Sequence, residues 1–354
     1  MNKHIFYIAA ACAALASCVK NEVRVNAPDQ EITFQTVSTK AGTAFDKSNH
    51  FFSYAYFLEK DKHWNTANLL TDAKAYIDNA EISYKSSKDV WAATETYHWP
   101  KQGSLTFFAW TDNTPTPSAG TATVNCAPKT GIQITNYSVK ENKNKDILVA
   151  DIAKDKSNNE TVTGRDWSEG VPTVFRHALA KVEFEINKRE NYPNIKFKVK
   201  SITLNGVSTK GTFTQGSPTE DWKWSDWAET DDLTVFSSSS TTGMEVTKTN
   251  DPAPAEYHAL DSGDYSIVLP QNFDNDTPTL NIVYDIITSY TGTDVAETVK
   301  ETKALKDIYK STTMSTGKWE SKKKYVLRIT LGLNEIFWDP SVEDWENGDV
   351  TNIL

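Results

Sequence analysis

Histidine and cysteine are the side chains that most often carry acid–base, nucleophilic or metal chemistry. This chain has only six histidines and three cysteines. His177 is followed by a stretch of alternating polar and apolar residues, with no nucleophile beside it in the sequence. The chain contains no His-Glu-x-x-His, no Gly-x-Ser-x-Gly and no phosphate-binding glycine loop. We therefore expect no catalytic residues, no cofactor and no enzymatic activity, and we interpret His177 as a hydrogen-bonded structural residue near a domain junction.

An acidic stretch at residues 344–349 could offer oxygen ligands to calcium. In an EF-hand loop the bidentate glutamate stands at the twelfth position, and counting from Asp344 places it at 355, beyond Leu354. We therefore interpret the stretch as a solvated turn before a last strand and expect no metal ligands.

Three tryptophans in the polar stretch 214–234, namely Trp222, Trp224 and Trp227, could form an aromatic loop on which a sugar stacks. They do not all fall on one strand face, because only residues two apart share a face. Aromatic side chains also anchor loops and subunit contacts. Sugar binding and a structural role therefore both stay open for this loop.

Cys18 is the remaining candidate for covalent chemistry. An apolar run at residues 5–15 follows Lys3, and it is about half of the ~20 residues that a helix needs to cross a bilayer. Leu15-Ala16-Ser17-Cys18 then resembles the lipobox of bacterial lipoproteins, in which the thiol receives a diacylglycerol and becomes residue one. Cleavage near Ala16 without lipidation is the alternative. We expect residues 1–17 to be a signal peptide and Cys18 to carry the lipid anchor of a protein of the cell envelope.

Cysteine count and net charge narrow the environment further. Cys12 would leave with the signal peptide and Cys18 would be acylated, so Cys126 has no intramolecular partner and no disulfide framework is possible. The net charge is −10, and no basic stripe interrupts it. Nucleic acid and anionic membrane surfaces are therefore not expected as partners, which leaves membrane attachment to the lipid.

Strands are the elements that must position these residues. Residues 181–186 and 195–200 alternate charged with apolar side chains, with the period of two that is typical of a strand with one solvated face. The pattern recurs less strictly at 265–269, 280–284 and 325–331. Clusters of Gly, Asn, Asp, Ser and Thr separate these short runs, which favours an all-β fold of antiparallel β-sandwiches.

Helical periodicity is scarce, and we expect only short helices, at residues 65–79 and 295–310. The length of 354 residues favours two domains. A polar segment at 141–170 interrupts the strands, and we place the domain boundary near its end. The sequence thus predicts an N-terminal segment over residues 18–40, which contains a strand, followed by β-sandwich domains over 41–170 and 171–354.

An ordered series of short blocks runs through nearly the whole mature chain. One of them is Phe175-Arg176-His177-Ala178-Leu179-Ala180-Lys181-Val182, and an earlier one is Thr39-Lys40-Ala41. The others lie, in order, at residues 51–56, 105–110, 146–150, 202–207, 269–271, 325–331 and 342–345. In this order the blocks resemble the fimbrillins of the type V pili of Bacteroidetes, although that family usually has Arg where Lys40 stands.

The resemblance implies two transthyretin-like β-sandwich domains in tandem and a subunit that polymerises by strand exchange. In that scheme the lipoprotein reaches the outer membrane and a trypsin-like protease removes an N-terminal strand, which leaves an apolar groove. A donor strand of another fimbrillin subunit then fills this groove. Cleavage would follow Lys40, with Arg24 as the alternative, and the removable strand would be residues 30–37, with Ile32 and Phe34 facing the core.

Two alternatives stay open. Residues 30–37 could be a permanent edge strand that never leaves the fold. The whole protein could also be a surface lipoprotein that binds glycans, of the host or of bacteria, and does not polymerise. The leading expectation is a structural or adhesive pilus subunit at the cell surface.

Overall fold

The structure is a computed structural model, and it describes residues 31–37, 45–157, 170–249, 255–260, 265–274, 277–309 and 317–345. The sequence predictions for Cys18, Arg24 and Lys40 fall outside these residues. Neither of the short helices within them has the length or the hydrophobicity of a membrane span.

Strands make up most of the N-terminal half, in which short apolar and aromatic runs are separated by turns. One short helix, α1, covers Leu69–Asp72. The strands are β1 (Phe34–Val37), β2 (Phe51–Leu58), β3 (Lys74–Lys85), β4 (Val90–Ala93), β5 (Ser104–Thr111), β6 (Thr123–Ala127), β7 (Gly131–Ser138), β8 (Leu148–Ala150), β9 (Ala153–Lys156) and β10 (Val171–His177).

The C-terminal half is built in the same way, from longer strands. Its short helix, α2, covers Leu305–Ile308. The strands are β11 (Ala180–Lys188), β12 (Ile195–Thr214), β13 (Lys223–Ser237), β14 (Met244–Glu245), β15 (His258–Leu260), β16 (Ile267–Val268), β17 (Gln271–Asn272), β18 (Thr279–Tyr290), β19 (Thr293–Ala304), β20 (Lys318–Trp319), β21 (Lys323–Leu331) and β22 (Ile336–Asp344).

The first sheet has eight strands in the order β2-β3-β4-β1-β10-β8-β5-β9, and an additional pairing of β2 with β5 closes it into a ring. One hydrophobic core lies inside this ring, and its side chains include Phe45, Phe51, Trp91, Phe107 and Phe175. Nearly all of these pairings are antiparallel, but β1 runs parallel to β10. The ring therefore depends on one strand from the N-terminal end of the described chain.

A five-stranded sheet, a seven-stranded sheet and a two-stranded pair of β17 and β20 contain the other strands. The five-stranded sheet runs β15-β11-β21-β22, with β16 paired to β11, and β11 is parallel to β21. The seven-stranded sheet runs β19-β18-β12-β7-β6, with β13 and β14 paired to β12. Both sheets contribute to one larger core, in which Val182 and Phe184 of β11 join Phe197 and Ile202 of β12. The all-β prediction is thereby confirmed.

Each of the two predicted helical stretches contains a four-residue helix and part of a strand. Residues 65–79 contain only the four residues of α1 before β3 begins, and 295–310 are largely β19 followed by α2. The β18–β19 hairpin turns at Thr291 and Gly292, which both have positive φ, of 43° and 84°. Such a turn matches the twist of a hairpin, so cross-strand pairing along β18 outweighs the helix propensity of Ala, Glu and Lys in β19.

Sheet pairing crosses the domain boundary that the sequence places at residue 170. β10, which starts at Val171, pairs with β1 and β8 in the first sheet. β6 and β7 precede the boundary, yet β7 pairs with β12 in the seven-stranded sheet. The polar segment 141–170 also contains β8 and β9 of the first sheet. A division into 41–170 and 171–354 stays a prediction.

Candidate functional site

β1 lies inside the first sheet, between β4 and β10. Phe34 to Val37 pair with Val171 to Val174 of β10, and Phe34 also faces Trp91 of β4. The backbone N–H of Ile32 donates to the carbonyl of Tyr97 over 2.8 Å, and Thr33 accepts from the N–H of Val171 over 2.7 Å. The segment is therefore paired on both sides, unlike the permanent edge strand that the sequence left open.

Ile32 and Phe34 both point into the core of the ring, because residues two apart share a face. Their exposed fractions are only 3% and 4%, whereas Gln35 is exposed. The Phe34 ring meets Phe51 and Phe107 edge to face, with ring centres 5.6 and 5.8 Å apart. Burying two such side chains contributes roughly 2 to 3 kcal/mol each, so the strand fills a substantial part of this core.

Gly170 allows β10 to start close against β1. Its φ is +105°, and a Cβ at this position would lie 2.8 Å from the carbonyl carbon of Phe34. A side chain here would push the two strands apart, in a backbone conformation that only glycine adopts readily. The contact between the N-terminal strand and β10 is thus tight at the backbone as well as in the core.

His177, at the end of β10, joins two distant parts of the chain. Its Nδ1 is hydrogen-bonded to the carboxylate of Asp146, and its ring stacks on Trp345 at 3.7 Å with an angle of 5°. The imidazole is 1% exposed, and its Nε2 has no hydrogen-bond partner among the described residues. The contacts are those of a buried structural histidine at the junction of the first sheet with the C-terminal end.

The predicted tryptophan loop is largely strand, since β13 begins at Lys223. Trp224 belongs to the core: its Nε1 donates to the carbonyl of Ala178 over 2.8 Å. Trp222 is half-buried, and the ammonium of Lys322 lies 3.7 Å from the centre of its ring. Trp227 is 45% exposed, and its Nε1 donates to the carbonyl of Pro270 over 3.1 Å. The three indoles therefore have different environments.

A bulge explains how Trp224 and Trp227, three residues apart, line the same cavity. The pairing of β13 with β12 shifts register between Ser225 and Ala228, and Asp226 has a positive φ of 52°. An extra residue in one strand re-aims the side chain that follows it. We name this cavity the tryptophan cleft; it holds about 620 Å³ and is lined by Trp222, Trp224, Trp227, Pro270, Asn272, Lys318, Trp319, Glu320 and Lys322, among others.

Lys322 is a residue of the cleft that sequence reasoning missed. It stands about a hundred residues beyond the tryptophans, in the turn between β20 and β21, and no motif marks it. Its backbone N–H donates to the carbonyl of His177 over 3.1 Å, and its carbonyl accepts from the N–H of Trp345 over 2.9 Å. The junction around His177 thus also positions the lysine of the cleft.

The acidic stretch starts at the end of a strand. Asp344 is the last residue of β22, and its carboxylate pairs with the ammonium of Lys323 over 2.7 Å. Residues 346–349 lie outside the described part of the chain. Within the described part, histidine, cysteine, aspartate and glutamate side chains form no group of three that could hold a metal ion.

Comparison with known proteins places the chain in a family. No curated protein matches it. A solved fimbrial protein from Bacteroides vulgatus has a similar fold, with a TM-score of 0.63 at 17% identity, over 89% of this chain and 99% of that one. The tip fimbrial protein from Porphyromonas gingivalis, solved with a C-terminal truncation, aligns with a TM-score of 0.41 at 8% identity, over 90% of this chain and 100% of that one.

The sequence pattern of the fimbrillin-like family matches residues 39–345 of this chain. This range starts next to Lys40 and ends at Trp345. It contains the five-stranded and seven-stranded sheets, most of the first sheet and the junction around His177. The chain belongs to the fimbrillin-like family.

Proposed function

We propose that this chain is a structural or adhesive subunit of a cell-surface pilus and not an enzyme. It is exported as a lipoprotein, anchored to the outer membrane through Cys18, and assembled after proteolysis by strand exchange with other fimbrillin subunits. Membership of the fimbrillin-like family supports the pilus assignment. The lipobox supports the anchor.

The observation that carries the proposal is the position of β1. It closes the ring between β4 and β10 while lying at the N-terminal end of the described chain, next to residues 38–44 and Lys40. Among the residues that the structure describes, it connects to the rest of the ring through backbone pairing and side-chain burial. Cutting the chain after Lys40 would therefore leave β1 held by noncovalent contacts alone.

Loss of β1 would produce a groove with a strong preference for another strand. The facing edges of β4 and β10 would have unpaired N–H and C=O groups, and rings such as Phe51 and Phe107 would meet water. An added strand gains hydrogen bonds and apolar burial at the same time. A donor with large apolar side chains two residues apart, at the places of Ile32 and Phe34, would fit this groove.

The two candidate processing sites have different consequences. Lys40 follows β1, so cleavage there detaches the strand from the rest of the chain. Arg24 precedes β1, so cleavage there releases the lipidated end but leaves the ring closed. Of these two sites, only Lys40 would open the groove when cleaved, which favours Lys40 as the processing site for assembly.

The test compares Lys40→Gln with Arg24→Gln in the secreted chain, treated with a trypsin-like protease and analysed by gel electrophoresis without boiling. N-terminal sequencing identifies the cut. We expect wild type and Arg24→Gln to form ladders of oligomers, whereas Lys40→Gln stays monomeric. Ladders that form equally well from Lys40→Gln would rule out processing at this site. Absence of ladders from cleaved wild type would favour a surface glycan-binding lipoprotein that does not polymerise.

A further inference from the structure

The tryptophan cleft combines an exposed aromatic face with a cation that has no acidic partner. Its volume of about 620 Å³ is in the range of small-ligand sites. It lies between the start of β13, residues 270–272 and the turn at 318–322, away from the groove that β1 fills.

Lys322 is the cation of interest. In the described part of the chain its ammonium makes no hydrogen bond and no ion pair, and it lies over the ring of Trp222 at 3.7 Å. Burial lowers the pKa of Lys322 from its usual value, because a half-buried ammonium has lost water, and the more distant charges of Asp151 and Glu220 offset this only in part. An anion bound in the cleft would provide a direct counter-charge.

The nearby carboxylates are already engaged with other cations. Asp151 holds the guanidinium of Arg176 through two hydrogen bonds, of 2.6 and 2.7 Å. Glu220 lies 3.6 Å from the ammonium of Lys154. Both carboxylates act on Lys322 from a distance, but among the described residues neither forms a direct ion pair with its ammonium.

The other two lysines of the cleft differ from Lys322 in this respect. Lys223 pairs with Asp221 over 2.5 Å, and Lys318 pairs with Glu320 over 2.7 Å. Among the described lysines that line the cleft, Lys322 is therefore the one without a direct ion pair. Lys318 is thus a matched control for any experiment on Lys322.

Trp227 offers a flat surface of fixed orientation. Almost half of the side chain is exposed, and the hydrogen bond to Pro270 satisfies its only polar atom. An exposed indole face attracts the C–H groups of a sugar ring, since the electron-rich ring meets their partial positive charge. Asn272 is exposed on the same cleft and can hydrogen-bond with hydroxyl groups.

We propose that the tryptophan cleft binds a saccharide that carries a carboxylate, with the sugar ring stacked on Trp227 and the carboxylate paired with Lys322. The overall charge of −10 disfavours acidic ligands elsewhere on the surface. A neutral sugar would use the aromatic face but would leave the lysine without a partner.

The experiment measures binding of two acidic saccharides, a trimer of galacturonic acid and sialyllactose, to the uncleaved secreted chain. Uncharged counterparts of the same ring structure, the methyl esters of the trimer and of sialyllactose, serve as controls. Changes in tryptophan fluorescence on titration give the Kd. We expect at least one acidic saccharide to bind about tenfold more tightly than its uncharged counterpart, as a charged hydrogen bond provides.

Variants assign the two roles. Lys322→Gln should remove the preference for the acidic saccharide, while Lys322→Arg and Lys318→Gln should keep it. Trp227→Ala should weaken binding of charged and uncharged saccharides alike by about tenfold, since it removes the stacking surface. Tyr290→Ala, which removes an exposed ring outside the cleft, should change neither Kd. Melting curves confirm that each variant is folded.

Three results would overturn the proposal. The first is that neither acidic saccharide binds to the wild type. The second is that charged and uncharged saccharides bind equally well, and the third is that Lys322→Gln, once shown to be folded, keeps the preference. Because the uncleaved monomer is used, failure of pilus assembly and failure of saccharide binding are distinguishable.

Discussion

At the scale of single residues, burial separates neighbours in β1 that look equally ordinary in the sequence. Phe34 contacts two aromatic rings of the core, whereas Gln35, the next residue, is exposed. Side chains along a strand alternate between the two faces of its sheet, so a charged substitution is costly at the buried position and tolerated at the exposed one. This contrast provides a control within the strand.

Phe34→Asp should destabilise the uncleaved protein by at least ~3 kcal/mol, because it removes an aromatic ring from the core and places a charge there. Gln35→Asp should change the free energy of unfolding by less than about 0.5 kcal/mol, as surface substitutions do. Chemical denaturation of the secreted chain measures both. After cleavage at Lys40 and exchange with other subunits, the Phe34→Asp difference should vanish. Equal stability of the two variants before cleavage would contradict a core role for Phe34.

At the scale of elements, β1 differs from the other strands in how it is connected. Its parallel partner β10 begins at Val171, far along the chain. Its other neighbour, β4, pairs with β1 through Phe34 and Trp91. Parallel neighbours need a long connection, so a strand at the chain's N-terminal side can be separated from them by one cut. The element is central in the sheet, yet the chain that follows it is its one covalent link to the other described strands.

A peptide with the sequence of residues 30–37 should therefore bind to protein that has been cleaved at Lys40 and freed of its strand. The expected affinity falls strongly for a peptide with Phe34→Asp and stays the same for one with Gln35→Asp, since only the first side chain enters the core. Fluorescence anisotropy of labelled peptides gives both values. Binding of all three peptides with one affinity would show that the groove does not recognise this strand.

At the scale of the whole molecule, the fold is stabilised by its cores and not by covalent cross-links between the described residues. Cys126 is the free cysteine of the described chain, and burial raises the pKa of its thiol, while a hydrogen bond with Tyr56 acts in the opposite direction. A thiol of raised pKa reacts slowly, because the thiolate is the nucleophile. Cys126 is partly buried against the larger core, and we expect its thiol to react slowly.

The secreted protein should melt at the same temperature with and without a reducing agent, and its far-ultraviolet circular dichroism should be dominated by strands. Iodoacetamide at pH 8 should modify Cys126 much more slowly in the folded protein than in urea. A large decrease of Tm on reduction would reveal a disulfide that the cysteine arithmetic excludes.

Membrane attachment should depend on Cys18. In cells, Cys18→Ala should move the full-length protein from the membrane fraction to the soluble fraction, since lipidation provides the only anchor that we expect. Cys126→Ala is the control, because it removes a cysteine without touching the lipobox. Equal distribution of Cys18→Ala and wild type between the fractions would refute lipid anchoring.

Some properties could be predicted from the sequence alone. The all-β class and the alternation that places Ile32 and Phe34 on one face depend on local patterns of hydrophobicity, which the sequence displays directly. The signal peptide rests on a pattern of the same kind and stays a prediction. The two stretches predicted to be helical each contain a helix of only four residues; in 295–310 most residues instead pair with β18 as part of β19. The stretch that carries the three tryptophans was expected to be a loop, but most of it pairs with β12 and is a strand.

Other properties were decided by the tertiary structure. The strand period of two determines which face a side chain occupies, but it does not determine which strand becomes the neighbour. In the folded chain β1 lies between β4 and β10, the ring of His177 stacks on Trp345, and the ammonium of Lys322 lies over Trp222. These contacts join residues far apart in sequence, and their energies depend on the simultaneous packing of both cores. Local patterns therefore predicted the strands and the buried face of β1, whereas the groove and the cleft required the assembled sheets.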